Sequence, residues 1–278
     1  MGCPRLGGLK IKQGGKCMEN AQTINKKEQE IEGLKGYKRN VEAPWGLLFY
    51  KIIWDQLGNL NNKKILDYGS GFGITANYLA AKNEVTAIEP NEDMLQLRSS
   101  EHAYTQLIGT LERLKQEPNE KYDVIICHNV LEYVEDRQTL LEEFHRVLKK
   151  DGFISIVKHN KLGKIMQKAV LEYKVDEAMT LLDNEDVKSS NFGTIHLYEN
   201  NEIEVYSKGL LKIDDYYGVR IFFALQNNDL KVKPGWLEEM FALERKADQI
   251  PQFRDIAFFH HLMIKKSGND EKKAVSVY

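Results

Sequence analysis

Cysteine is scarce. The three present, Cys3, Cys17 and Cys127, show no metal-ligand or redox spacing. No metal site is expected, and this usage fits a reducing cytosol. Long apolar runs are missing too. No stretch of about 18 apolar residues exists, and the N-terminus lacks the apolar segment of a signal peptide. Neither a membrane span nor a secretory leader is expected, and the chain reads as cytoplasmic. Charge of neither sign dominates: 39 Lys and Arg stand against 41 Asp and Glu, a net charge of −2. No global basic field draws nucleic acid in, so DNA is not an expected partner and any RNA contact needs a local patch. What is present is a full core's worth of apolar residues, 42% of 278. That length allows one large α/β domain with an insertion, or two small domains.

The most informative stretch runs from Lys64 to Asn91. Ile65-Leu66 reads as a strand ending at Asp67. Gly69, Gly71 and Gly73 then turn the chain into a helix from Ile74 to Ala81. A second apolar strand, Glu84 to Ile88, ends in Glu89. Glycines suit such a loop because a ligand must approach the backbone and some positions need positive φ. Glu89 lies about 20 residues past the start of the loop, where a cofactor ribose would fall. The dinucleotide fingerprint is G-x-G-x-x-G, but the spacing here is G-x-G-x-G, with Ile74 in place of the third glycine. Asp67, two residues before the first glycine, suits a cationic or amine-bearing ligand better than a pyrophosphate.

This pattern resembles motif I of the class I S-adenosylmethionine-dependent methyltransferases. Glu89 resembles their ribose-binding acid. Downstream, Tyr122 to Cys127 reads as a buried parallel strand. His128-Asn-Val-Leu-Glu-Tyr-Val follows, then a helix over Arg137 to Lys149, the turn Asp151-Gly152 and a strand over Phe153 to Val157. The succession resembles the type 11 branch of the same enzymes over about residues 60 to 160. It implies a Rossmann-like, seven-stranded, mostly parallel sheet with an antiparallel last strand, and S-adenosylmethionine as cofactor, leaving S-adenosylhomocysteine as product. The cofactor residues it implies are Asp67, Gly69, Gly71, Gly73, Glu89, Pro90, Met94, Leu111, Glu112, His128 and Asn129. Of these, Glu112 would accept from the adenine amine and Leu111 would cover a ring face.

Around that core the chain divides further. Residues 1–22 are expected to be disordered. Residues 23–58 read as N-terminal helices over the site. They include the charged stretch Asn25 to Gly36 and an amphipathic helix opened by Pro44-Trp45-Gly46. Residues 59–158 form the cofactor-binding core. The segment 159–208 reads as a helical lid inserted after the fifth strand: apolar residues recur at helical spacing from Lys161 to Asp183, Asn184 to Thr194 reads as a polar loop, and Asn200 to Lys208 as a short helix. Residues 209–266 complete the sheet, with a bent strand over Gly209 to Ile221, a helix over Trp236 to Ala247 and a final strand over Ile256 to Lys265. The tail 267–278 is expected to fray.

A looser resemblance extends over about residues 38 to 266, to the bacterial tRNA carboxymethoxyuridine methyltransferases. It rests on the segment from His128, Lys158-His-Asn160, Gly218-Val-Arg-Ile-Phe222, and Leu243-Glu-Arg with Gln249-Ile-Pro. It implies transfer to an anionic acceptor, a carboxylate on a modified tRNA wobble uridine. A small-molecule O- or N-methyltransferase is the alternative, and the partner is accordingly a small molecule or tRNA. Expected acceptor-side residues are Trp45, His159, Asn160, His196 and Arg220. A guanidinium at 220 can clamp a carboxylate or phosphate, unless it is simply paired with Asp214 or Asp215. A carboxylate acceptor needs no base. A hydroxyl or amine does, and His128 and His159 are the first candidates, with His128 and Asn160 as the expected catalytic pair. His260 and His261 alternate faces of the last strand, so only one can face a site. Two readings of other classes stay open: a nicotinamide-dependent oxidoreductase, for which Ile74 is the wrong residue, and a non-catalytic nucleotide-binding module.

Overall fold

The computed structural model describes residues 31–183, 187–189 and 193–268. The disorder expected for 1–22, the start of the 25–36 helix, much of the 184–194 loop and the tail beyond 268 lie outside the described residues. No helix of the described residues is long and apolar enough to cross a membrane.

A helix over 31–42, α1, leads into α2 (Pro44–Leu57). Proline suits that first turn, where its missing N–H would have no helical partner. The parallel half follows as β1 (Lys64–Tyr68), α3 (Ile74–Ala80), β2 (Glu84–Glu89), α4 (Glu92–Gln96), β3 (Thr105–Ile108), α5 (Leu111–Leu114) and β4 (Tyr122–His128). A single 3₁₀ turn (Leu131–Tyr133) leads to α6 (Arg137–Val147) and β5 (Leu148–His159). Between β5 and the next strand of the main sheet lie α7 (Lys161–Met166), a π turn (Gln167–Leu171), α8 (Val175–Leu182), a two-stranded ribbon of β6 (Val187–Ser189) and β7 (Gly193–Ile195), and α9 (Glu202–Tyr206). The chain closes with β8 (Leu211–Val219), α10 (Trp236–Ala247), α11 (Pro251–Arg254) and β9 (Phe259–Lys266).

The seven strands lie in the order β3-β2-β1-β4-β5-β9-β8. All pairings from β3 to β5 are parallel, and β9 runs antiparallel to both β5 and β8. β8 therefore points the same way as β5. The near-continuous apolar runs of β1, β2 and β4 follow from burial on both faces. One face packs Ile52, Ile53, Ala76 and Phe223 over Val124, Ile126 and Val157. The other packs Leu140, Phe144 and Ile203 over Ile125, Cys127 and Ile156.

The inserted segment departs from the single helical pattern read over 161–183. The π turn ends at Leu171, Tyr173 takes a left-handed φ of 51°, and α8 starts separately at Val175. α7 itself sits against the backbone before β9. A Cβ at Gly163 would come within 2.2 Å of the Ala257 carbonyl oxygen, so only glycine permits that approach.

Candidate functional site

β1 ends at Tyr68, and the chain turns through Gly69, Gly71 and Gly73, at φ 75°, 54° and 67°, before α3 begins. These are left-handed conformations that glycine adopts without Cβ cost. Space is short as well: a Cβ on Gly69 would lie 2.3 Å from Val130 Cγ2. The loop is braced from β2. Glu89 Oε2 accepts from the Gly71 N–H at 2.8 Å, and Oε1 accepts from the Asn91 N–H at 2.9 Å. One carboxylate thus ties the glycine loop to the start of α4 and keeps further lone pairs for a ligand.

Asp67 sits beneath the loop, 3% exposed, with Oδ2 buried and without a hydrogen-bond partner. Burial, reinforced by the charge of Glu89, pushes its carboxyl up to about 7, against a hydrogen bond from the Ala76 backbone. Two carboxylates this close favour a cation between them or a proton on one. Asn129, at φ 55°, likewise has a buried Oδ1 without a partner. These are unspent acceptors, and they face donors that a ligand must bring.

A cleft of about 1020 Å³ opens at the carboxyl ends of β1, β2, β4, β5 and β8. This is where open α/β sheets bind ligands. Of the residues expected from sequence, Trp45, Asp67, Gly69, Gly71, Glu89, Pro90, Met94, Leu111, His128, Asn129, His159 and Arg220 all line it. Four do not. Gly73 lies behind the loop, where its missing Cβ makes room for the Tyr104 hydroxyl. Glu112 points to solvent with its side chain 76% exposed, ion-paired to Lys115 at 2.6 Å, because the one-turn helix α5 turns Leu111 inward instead. Asn160 is spent on structure: Nδ2 donates to the Asp255 and Ala257 carbonyls, both at 2.8 Å, and Oδ1 caps α7. His196 is exposed, and its carbonyl accepts from Arg137 at 2.6 Å.

Arg220 follows the last residue of β8 at φ 60°. Its guanidinium lies over Phe258, Phe223 and Phe259, at 4.8, 5.2 and 5.6 Å from the ring centroids. Neither Asp214 nor Asp215 is its partner: Asp214 pairs with Lys265, and Asp215 accepts from Gln249. The nearest acid, Glu244, accepts instead from the backbone N–H groups of Ile221, Phe222 and Phe223. Burial lowers the guanidinium to about 10, so it stays charged at neutral pH.

Sequence reasoning missed Tyr37, Tyr50, Lys231 and Phe259, all in the cleft wall. Lys231 lies in a loop with no motif to mark it. Its Nζ donates to Asn228 at 3.1 Å, and burial with the nearby Arg220 charge pushes it down to about 8. Glu132 was missed too. An acid in the apolar run Val130-Leu-Glu-Tyr-Val134 was the signal that could have found it, since a fully buried carboxylate needs a donor.

The family model described as a methyltransferase domain matches residues 66–156. A ubiquinone biosynthesis O-methyltransferase of Pseudomonas syringae pv. tomato is 33% identical over 134 residues, 44% of this chain and 57% of that protein. The one of Salmonella paratyphi A is 31% identical over 144 residues, 49% of this chain and 59% of that protein. The matches thus span little more than half the length of these curated relatives. A solved S-adenosylmethionine-dependent methyltransferase from Mesorhizobium loti superposes with a TM-score of 0.53 at 15% identity, covering 79% of this chain and 98% of that one. It shares the fold. Residues 66–156 therefore match a methyltransferase domain, set in a sheet that has the fold of a solved S-adenosylmethionine-dependent methyltransferase.

Proposed function

We propose that this protein transfers a methyl group from S-adenosylmethionine to an oxygen of a small, anionic acceptor. Arg220 is the observation that carries the reading: a guanidinium without an ion pair among the described residues, in the wall of the cleft that also holds the glycine loop and Glu89. The names of the matched relatives, O-methyltransferases, support an oxygen acceptor. They also favour a small molecule over the tRNA carboxylate that the sequence resemblance implied.

The unspent acceptors fit the cofactor. When bound, it supplies an electrophilic methyl group. Glu89 would take the ribose hydroxyls on its remaining lone pairs, Asp67 would face the amine, and Leu111 would cover the adenine. The aromatic wall of Trp45, Phe49, Tyr50 and Phe259 excludes water and positions the acceptor, which supplies much of the acceleration in a displacement of this kind.

Calorimetry with S-adenosylhomocysteine and with NAD tests this directly. S-adenosylhomocysteine is expected to bind and NAD is not, because Ile74 stands where the dinucleotide loop needs glycine. Binding should also depend on pH. Asp67 holds its proton up to about 7 in the empty protein, and an ammonium favours the ionised form. Affinity is therefore expected to fall by up to about tenfold per unit as pH drops below that value, with release of a proton on binding. The same raised value makes the folded state hold more protons than the unfolded chain from about pH 4 upward, so this group's contribution to stability declines as pH rises toward 7. Asp67→Asn should flatten the affinity profile. A flat profile in the unmodified protein would remove Asp67 from the amine.

The adenine end is separable. Glu112→Ala is expected to leave S-adenosylhomocysteine affinity within about twofold, since an exposed ion pair contributes about 0–1 kcal/mol. Leu111→Asp should weaken it more than tenfold, by setting a charge against an apolar ring. A large loss in the alanine variant would return Glu112 to the site.

A further inference from the structure

Two imidazoles reach the cleft, at the ends of β4 and β5, and the hydrogen bonds behind them fix opposite tautomers. Behind His159 stands Glu132, fully buried. Its Oε1 accepts from the His159 backbone N–H at 2.7 Å and lies 3.0 Å from Nδ1. Burial raises its carboxyl, but the hydrogen bonds and charge of His159 outweigh that and hold it below the ordinary range. A carboxylate only accepts, so Nδ1 carries the hydrogen and Nε2 keeps a lone pair.

His128 is wired differently. Its Nε2 lies 2.7 Å from Ser155 Oγ, which lies 2.7 Å from His261 Nε2, and His261 Nδ1 lies 2.8 Å from Gln56 Oε1. Gln56 Nε2 donates to Asp248 and to the Gly218 carbonyl, which fixes the amide and makes Oε1 an acceptor. His261 Nδ1 therefore carries the hydrogen, and burial keeps that ring neutral. Its Nε2 accepts from Ser155, and Ser155 accepts from His128 Nε2–H. His128 Nδ1 is left as a buried lone pair without a partner. Each link in that chain is neutral until Asp248, which is already paired with Arg245. Nothing there can hold a charge for His128.

We propose that the Glu132–His159 pair takes the proton of a hydroxyl acceptor, while His128 stays a neutral hydrogen-bond acceptor. This rests on the methyl-transfer reading above and narrows it. A carboxylate attacks without losing a proton and has no use for a base backed by a buried acid. The reacting oxygen is therefore a hydroxyl, and the anion held by Arg220 is a second group on the same molecule. In the transfer, the hydroxyl oxygen bonds the methyl carbon as the carbon–sulfur bond breaks with its pair staying on sulfur. The hydroxyl proton passes to His159 Nε2, and Nδ1 keeps its hydrogen, donating to the Glu132 carboxylate. His159 is the catalytic residue, and Glu132 is a positioning residue.

The probe is 4-hydroxy-3-nitrobenzoate, an aromatic hydroxy acid whose phenolate absorbs in visible light. It is added to the full chain saturated with S-adenosylhomocysteine. At a pH where the free probe is mostly protonated, the bound probe is expected to show at least a threefold higher ratio of phenolate to phenol. That excess should vanish in His159→Ala and fall in Glu132→Gln, which keeps an acceptor oxygen but loses the charge. Nitrogen-resolved imidazole NMR should find His159 as the Nδ1–H tautomer and His128 as the Nε2–H tautomer. The groups facing His159 are Glu132, Lys164 and Arg220; burial lowers its pKa from 6.5, Lys164 and Arg220 lower it further, and Glu132 raises it. Glu132→Gln should therefore move its titration still lower. An unchanged phenolate ratio in His159→Ala, or His128 titrating above His159, overturns the proposal. Failure of S-adenosylhomocysteine to bind overturns the methyl-transfer reading itself. A complex that binds it but not the probe overturns the hydroxy-acid pairing alone.

Discussion

Arg220→Ala is expected to leave S-adenosylhomocysteine affinity within about twofold while lowering acceptor binding and methyl transfer by two or more orders of magnitude. The asymmetry comes from position. Arg220 follows β8, across three strand pairings from β4, whereas the glycine loop and Glu89 belong to β1 and β2. Its guanidinium is packed among three phenylalanine rings with Nε buried; Glu244 is close enough for its charge to act on it, but among the described residues no carboxylate forms an ion pair with it. A cation held this way is already desolvated, so an anionic ligand gains the charge interaction without stripping water from the arginine. Truncating one partner of such a pair typically costs about 2–5 kcal/mol, far more than removing a rim charge. The turn that presents it is fixed separately, by Glu244 on three successive backbone N–H groups at 2.8, 2.8 and 3.2 Å. The variant should therefore keep its backbone. Benzoate serves as the probe: it should bind the complex of the unmodified protein and not that of Arg220→Ala. Arg220→Lys should rescue only in part, because an ammonium lacks the planar face that lies on the rings. Equal benzoate affinity in all three would leave the acceptor's charge without support.

Glu89→Ala is expected to weaken S-adenosylhomocysteine by about ten- to a hundredfold. Charge-assisted hydrogen bonds of the kind a carboxylate makes to hydroxyls are worth roughly 1.5–3 kcal/mol. A second effect runs in the same direction. Glu89 holds the Gly71 and Asn91 N–H groups, so alanine also frees the glycine loop and the first turn of α4. Glutamine should not restore binding, because its amide would set a donor against one of those two N–H groups. Calorimetry on variants with an unchanged melting transition separates lost binding from lost folding. An unchanged affinity in Glu89→Ala would take the residue out of the site.

The glycine loop was legible in the sequence because its determinants are local. A strand, three left-handed glycines and a helix follow one another between Lys64 and Ala80, and the acid that braces them ends the next strand. The Rossmann-like sheet was legible for the same reason, since strands buried on both faces must be apolar throughout. Facing within a short element was not. Glu112 and Leu111 are adjacent, and a four-residue helix has too little periodicity to say which one turns inward. His159 and Asn160 are also adjacent, yet one lines the cleft while the other caps α7 and holds the chain before β9.

Long-range partners decided the rest. His128, Ser155 and His261 lie on three neighbouring strands, and only the β4–β5–β9 register brings them to one face. Gln56 meets His261 across 205 positions of sequence. No composition or spacing encodes that meeting. The sequence by itself determined the fold class and the glycine-loop end of the cleft, where each contact depends on residues close along the chain. Tertiary structure decided the opposite end, around His159 and Arg220. Whether a histidine can hold a proton, or an arginine stays unpaired, depends on which distant side chains the packing brings against it and how much water it excludes.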